Sequence, residues 1–337
     1  MDELFTRYSR QMLFSPIGKD GQRCLRESAV LIVGMGALGT AVANHLVRAG
    51  VGHVKFVDRD FVEMSNLQRQ MLFDEDDAEQ ALPKAVAAAR KLKKINSDIE
   101  IEGIVLDVTA ENIESLLEGI DIVIDGTDNF ATRFLLNDAA FKKGIPYVYG
   151  GVVGSRGMSA MFIPNQTACL RCLIDQDASS ETCDTVGVIS PIVDIVASFE
   201  ATEAIKFLVG KKQLRNTLIS LDIWNNRTFE LKITNAKTGC LTCQKKEYPS
   251  LQASEGSFIT ALCGRETIQI KGKHAISLEE WAKRLSQVGK IKKTPFLLQV
   301  HLPEGEKLTL FPDGRTLIHG TDDVTRAKTL YSRYIGS

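Results

Sequence analysis

The stretch Ala29-Val30-Leu31-Ile32-Val33-Gly34-Met35-Gly36-Ala37-Leu38-Gly39 decides the fold. Its first five residues read as a buried strand, and a glycine-spaced turn then opens a helix-length amphipathic stretch. The next strand, Val54 to Asp58, ends on an acid 19 residues after Gly39. Small residues at Gly34, Gly36, Ala37 and Gly39 let backbone N–H groups approach a phosphate at a helix N-terminus, and Asp58 is placed to bind a ribose hydroxyl. The pattern predicts a nucleotide site without choosing between NAD and ATP.

Outward from this unit, further strands are expected at Glu100 to Leu106, Asp121 to Asp125 and Pro146 to Tyr149, with helices between them. Pro83 suits the first turn before Lys84. Strands at Gly157 to Ile163, Thr217 to Asp222 and Arg227 to Ile233 surround a long helix from about Pro191 to Gly210. The alternation predicts an α/β fold: a Rossmann-like, doubly wound, mostly parallel sheet with an antiparallel extension. A polar stretch over residues 246–258 reads as a linker between a domain of residues 1–245 and a small α+β C-terminal domain of residues 259–337. That tail reads as a strand (Leu262 to Ile270), a helix capped by Ser277 and Glu280, a strand (Phe296 to Leu302), a hairpin at Asp313-Gly314 and a helix from Asp322 to Tyr334.

The 337 residues are 44% hydrophobic and 25% charged, with 41 basic against 42 acidic side chains. This ordinary globular balance, at a net charge of −1, argues against a protein that coats nucleic acid or an anionic membrane. No apolar run reaches membrane-spanning length and Met1-Asp2-Glu3-Leu4 has no basic leader, so a cytoplasmic protein is expected. Seven cysteines, an odd number, do not suggest a disulfide framework. Cys169-Leu170-Arg171-Cys172 and Cys240-Leu241-Thr242-Cys243 instead form two knuckles able to close a four-sulfur structural zinc site. Cys24 and Cys263 read as buried small hydrophobes.

Two more segments fall at strand C-terminal ends, where open α/β sheets bind ligands: Ser65-Asn66-Leu67-Gln68-Arg69-Gln70 and Gly126-Thr127-Asp128-Asn129. Arg69, Lys84 and Asp128 converging on the glycine turn suit a triphosphate with Mg²⁺. A dehydrogenase would need a proton relay, and His45, His53, His274, His301 and His319 form no recognisable one.

With Arg7-Tyr8-Ser9-Arg10-Gln11, Pro83-Lys84 and both CxxC pairs, these motifs resemble the ubiquitin-activating-enzyme-like adenylyltransferases of the MoeB and ThiF family over about residues 5 to 245. The tail is similar to that of longer, Bacillus-like members. The resemblance implies ATP-dependent adenylylation of the C-terminal Gly-Gly carboxylate of a ubiquitin-fold sulfur carrier, ThiS-like or MoaD-like, for thiamine or molybdenum-cofactor synthesis. It implies that Gly36, Ala37, Asp58, Ser65, Asn66, Arg69, Lys84, Asp128 and Asn129 contact ATP, and that Asp128 is the Mg²⁺-linked acid. Arg10 would reach the neighbouring subunit's triphosphate, in an obligate homodimer, and a cysteine desulfurase is a further expected partner. Related enzymes carry a cysteine where Cys183 stands, which leaves two readings, a covalent link to the carrier or an incidental thiol. Lys271, Lys273, Lys290, Lys292 and Lys293 read as a basic dock for the carrier or as solvated surface. The rivals are an NAD-dependent dehydrogenase, which leaves Arg69, Lys84 and Asp128 unexplained, and a non-catalytic carrier-binding scaffold.

Overall fold

The computed structural model describes residues 3–174, 186–210, 214–252, 259–262, 266–272 and 274–336. The chain divides into two compact units, Met1–Gln252 and Ala253–Ser337.

The first unit is built on an eight-stranded sheet: β1 (Ala29–Val33), β2 (His53–Asp58), β3 (Glu100–Val105), β4 (Ile122–Asp125), β5 (Tyr147–Val153), β6 (Arg156–Phe162), β7 (Thr217–Asp222) and β8 (Arg227–Lys232). Their order is β3-β2-β1-β4-β5-β6-β7-β8. Strands β1 to β5 pair in parallel and β5 to β8 pair antiparallel. Val30, Leu31, Ile32 and Val33 of β1 are all buried, as expected for a strand covered on both faces. The principal helices are α1 (Gly18–Glu27), α2 (Ala37–Ala49), α3 (Lys84–Ile95), α4 (Phe130–Lys143) and α5 (Ser190–Leu208). Helix α5 lies close on the antiparallel extension because Gly150 and Gly157 leave room there: a Cβ on Gly157 would stand 2.4 Å from Val196 Cγ2.

The strand order reverses at β1, whose two neighbours are β2 and β4. Register aligns Val33 with both Val57 and Asp125, so Gly34, Asp58 and Gly126 follow at one edge of the sheet. The crossing is tight. A Cβ on Gly39 would stand 1.8 Å from the Gly34 carbonyl oxygen, and a Cβ on Gly126 2.3 Å from that same atom.

The second unit is a six-stranded antiparallel sheet in the order β11-β12-β13-β14-β10-β9. Its strands are β9 (Ile259–Leu262), β10 (Thr267–Lys271), β11 (Ile291–Lys293), β12 (Leu298–His301), β13 (Lys307–Leu310) and β14 (Arg315–His319), with helices α6 (Leu278–Leu285) and α7 (Val324–Tyr334). Ile268, Ile270, Leu298, Val300, Leu308, Leu310 and Ile318 pack with Leu278, Ala282, Leu285, Ala327 and Leu330. Ser277 caps α6, accepting from the Glu280 N–H at 3.4 Å.

Several expectations are corrected. The single strand expected over Leu262 to Ile270 is two paired strands, with Leu262 opposite Thr267. Strand β5 continues through Gly150 and Gly151 to Val153 and pairs with β6 in a hairpin, Val153 opposite Arg156. Pro83 stands just before α3 as its N-cap. Cys24 is exposed on α1, where Gly21, Gln22 and Leu25 take the buried positions. Of the five lysines read as a dock, Lys293 pairs with Glu279, and Lys273 lies outside the described residues.

The glycine crossing gives a direct test. Gly39→Ala forces a methyl into a carbonyl oxygen and is expected to cost about 3 kcal/mol or more. Gly36→Ala, whose Cβ would meet nothing nearer than 3.9 Å, should leave the thermal midpoint within a few degrees of wild type. Equal destabilisation of both variants in thermal melts would contradict this packing.

Candidate functional site

At the end of β1 the chain turns through Gly34, at φ +91°, a backbone setting that favours glycine. Gly36 is the N-cap of α2 and has no side chain to occupy the helix end. The first N–H groups of that helix have no intrahelical partner, and they carry the positive end of its dipole. A Cβ on Gly36 would meet only Gln70 Nε2 and the Gly126 carbonyl oxygen, both at 3.9 Å. The space over this turn is therefore open, and the groups around it favour an anion.

Asp58 ties β2 to the turn. Its Oδ2 accepts from the Met35 N–H at 2.6 Å and its Oδ1 from the Asp60 N–H at 2.6 Å. Burial raises its pKa, and the charge of Lys84 opposes that rise. Lys84 opens α3 and is only 4% exposed. Its Nζ lies 3.3 Å from Asp60 Oδ2, and its N–H donates to the Asp60 carbonyl at 2.9 Å. Arg59 stands beside them, with Nη1 3.0 Å from Asp107 Oδ1. Burial works against its charge, but Asp107 and Asp60 more than offset this and raise its pKa, with a smaller contribution from Asp128.

The segment after β2 coils into a short 3₁₀ turn, Met64–Asn66, closed by a reciprocal cap in which Asn66 Oδ1 accepts from the Glu63 N–H at 3.1 Å. Asn66 is buried and Ser65 exposed. Arg69 Nη1 donates to the Ser65 carbonyl at 3.0 Å.

The loop after β4 is held from beneath. Asp125 Oδ1 accepts from the N–H and hydroxyl of Thr127 at 2.8 and 2.7 Å, and Oδ2 from the Tyr147 hydroxyl at 2.6 Å. Arg133 Nη2 donates to the carbonyls of Thr127 at 2.8 Å and Gly150 at 3.2 Å. Asn129 caps α4, accepting from the Thr132 N–H at 2.9 Å, and Asp128 stays exposed between these fixed neighbours. Glu200 lies under the same loop, fully buried, with neither carboxyl oxygen hydrogen-bonded among the described residues. Burial and then the charge of Asp125 push its pKa well up, against the attraction of Arg133 and Arg215.

The structure thus brings Gly34, Gly36, Ala37, Gly39, Asp58, Lys84, Asp128 and Asn129 to one edge of the sheet. It places Arg10 elsewhere in its own chain. Arg10 is exposed on the helix Ser9–Leu13, and its neighbour Gln11 donates to the Ala49 carbonyl at 2.9 Å, at the far end of α2. A helix of 13 residues puts that end about 20 Å from Gly36. Cys183 lies outside the described residues. Reasoning from sequence did not single out Arg59, Asp60 or Arg133, although Asp60, two residues after Asp58, stands at a spacing that could have flagged it.

The four knuckle cysteines meet. Cys169 Sγ lies 3.6 Å from Cys240 Sγ and 3.9 Å from Cys172 Sγ, Cys172 Sγ lies 3.4 Å from Cys243 Sγ, and all four fall within 4.8 Å of one another. A tetrahedral ion with metal–sulfur bonds of about 2.3 Å needs sulfurs about 3.8 Å apart, so the cluster fits one. Hydrogen bonds from the Cys169 thiol and from backbone N–H groups bring the Cys172 thiol down to about 4, while burial beside the other sulfurs pushes Cys243 up to about 12. A cation among them removes that conflict. Both knuckles are anchored on α4: buried Asp138 accepts from Arg171 Nε at 2.9 Å, from the Thr242 hydroxyl at 2.6 Å and from the Ser250 N–H at 3.0 Å.

With this geometry established, comparison with known proteins places the chain. The sequence pattern of the ThiF family matches residues 8–242. The sulfur carrier protein ThiS adenylyltransferase of Bacillus subtilis (strain 168) is 47% identical over 335 residues, covering 98% of this chain and 99% of that one. The protein of that name in Escherichia coli (strain K12) is 36% identical over 72% of this chain and 96% of its own. Among solved structures, E. coli MccB with ATP superposes with a TM-score of 0.63 at 24% identity, over 71% of this chain and 74% of that one, a likeness of fold.

Glu200 supplies a pH test. Its folded pKa lies above the ordinary 4.5, so its contribution to stability is fully present below 4.5 and is lost as pH rises toward the folded value, by about 1.4 kcal/mol per pH unit. Glu200→Gln removes that loss. Denaturation of both proteins should show the variant gaining on wild type from pH 5 to pH 8, whereas a constant difference would mean that Glu200 does not stay protonated.

Proposed function

The chain belongs to the ThiF family, and on that premise we propose that it is an ATP-dependent adenylyltransferase acting on the C-terminal carboxylate of a ubiquitin-fold sulfur carrier. The carrier is ThiS-like, as the names of the two relatives suggest, or MoaD-like, serving thiamine or molybdenum-cofactor synthesis, as the family resemblance implies. The observation that carries the reading is Lys84, a lysine buried beside Asp58 and Asp60 at the edge of the glycine turn.

A carboxylate is ionised near neutral pH, so its attack on the α-phosphorus needs no general base. Charge is the obstacle. Two unit charges about 4 Å apart repel by about 4 kcal/mol at an effective dielectric of 20, and a triphosphate presents several. Lys84, Arg69 and the N–H groups at the start of α2 offset that repulsion, and their fixed positions keep the attacking oxygen, phosphorus and leaving pyrophosphate in line. Asp128 would hold Mg²⁺, which when bound neutralises part of the triphosphate charge. Ser65, Asn66 and Asn129 would be further nucleotide contacts. The four cysteines would hold zinc in a closed shell with no position for water, a clamp rather than a reagent. The dehydrogenase reading draws no support from the histidines: His45 lies within α2, His53 starts β2 at the opposite edge, and the other three belong to the second unit.

Partner surfaces follow from exposed apolar side chains. Leu13, Phe14 and Met71 are exposed, and two surface grooves, one lined by Met71, Asn44 and Lys94 and the other by Gln11, His45 and Thr202, share Arg48. This continuous surface suits a second copy of the chain, and a homodimer through it would carry Arg10 toward the partner's triphosphate. Met158, Phe229 and Leu231 are exposed on one face of the antiparallel extension, and they suit the carrier body. No helix among the described residues is long and apolar enough to cross a membrane.

Incubation of candidate carriers with the protein and Mg-ATP should give a carrier species heavier by one adenylate in mass spectra. Asp128→Ala should abolish carrier-dependent ATP–pyrophosphate exchange while keeping the wild-type melting temperature. Exchange at the wild-type rate would remove Asp128 from the reaction.

A further inference from the structure

Gln70 ends the Ser65–Gln70 segment and is 3% exposed. Its backbone is satisfied: the N–H donates to the Asn66 carbonyl at 3.0 Å, and the carbonyl accepts from the Phe73 N–H at 3.1 Å. Its carboxamide is not. Oε1 is buried with no hydrogen-bond partner among the described residues. Nε2 faces the glycine turn, 3.9 Å from the point where a Cβ on Gly36 would stand.

An unpaired amide in a buried place is a poor packing residue, because an apolar side chain of similar volume would fill it without the desolvation cost. Oε1 needs a donor, which a phosphate oxygen cannot supply; Nε2, on the other side of the carboxamide, is the group that faces a ligand space. Gly36 leaves the end of α2 open, the helix there spans 13 residues and its first N–H groups have no intrahelical partner, and Gln70 Nε2 stands beside that same Gly36. Side-chain and backbone donors that converge with no acceptor between them are complementary to an anionic oxygen.

We propose that Gln70 binds the nucleotide directly, its carboxamide N–H donating to a phosphate oxygen held over Gly36. This rests on the ATP reading above and adds to it a contact that the charged groups do not make. Lys84 and Arg69 offset the charge of the triphosphate, whereas a short amide on a buried stem adds a neutral, directional bond to one oxygen against the helix end.

The test is calorimetric titration of the full-length protein with Mg-ATP, paired with thermal melting. Gln70→Met should bind ATP about 10- to 100-fold more weakly, the range of one hydrogen bond to a charged group, with a melting temperature equal to or above wild type. Gln70→Glu, which places a carboxyl beside the phosphate, should bind at least as poorly as Gln70→Met. Should Gln70→Met fail to fold, Gln70→Asn keeps the amide but withdraws it by one methylene and should lose affinity without losing stability. Wild-type affinity in Gln70→Met, or a fall in melting temperature with unchanged affinity, would overturn the proposal. Failure of wild type itself to bind ATP would instead defeat the nucleotide reading on which it rests.

Discussion

The site depends on one steric contact, the meeting of three glycine backbones where β1 and β4 part. The Gly34 carbonyl oxygen occupies the positions that side chains on Gly39 and Gly126 would need. With no Cβ at either residue, α2 can start against the end of the sheet, and its uncapped N-terminus opens beside the β4 loop. The Met35 N–H then reaches Asp58. Asp58 brings in the charge of Lys84, and Asp60 takes the lysine itself. Each charged group is placed by a backbone that could not sit there if a side chain intervened.

Helix α4 joins the two halves of the chemistry. Asn129 caps its start beside Asp128, and nine residues on Asp138 holds Arg171 and Thr242, one from each cysteine knuckle. Asp138 is fully buried, so breaking its pair with Arg171 would leave an uncompensated charge and cost roughly 3–5 kcal/mol. The knuckles brace the helix that presents the loop, although their sulfurs stand apart from any reacting atom.

What could be read from the chain follows from how local each interaction is. The β1–α2–β2 unit was legible because Gly34, Gly36, Gly39 and Asp58 sit at spacings imposed by a single turn and its neighbouring strand. The cysteines were legible because each knuckle is a pair three residues apart, even though 67 residues lie between Cys172 and Cys240. Arg133 was not, because its partners are backbone carbonyls and the buried Asp125, and such bonds leave no mark in composition. Asp138 joins residues 33 and 104 positions away, a meeting that only the folded helix creates. The strand expected from Leu262 to Ile270 begins instead at Thr267, because Leu262 closes β9 and Gly264 falls in the sequence between the two.

The central claim is that fixed positive charge lets two mutually repelling anions meet beside the glycine turn. The most direct measurement compares wild type with Lys84→Met in two assays, ATP affinity and carrier-dependent ATP–pyrophosphate exchange. If Lys84 offsets repulsion between the carboxylate and the triphosphate, exchange falls about 100-fold or more beyond the loss of ATP affinity, since the full repulsion arises only with both anions present. A fall in exchange no greater than the loss of ATP binding would contradict the claim and reduce Lys84 to a nucleotide anchor.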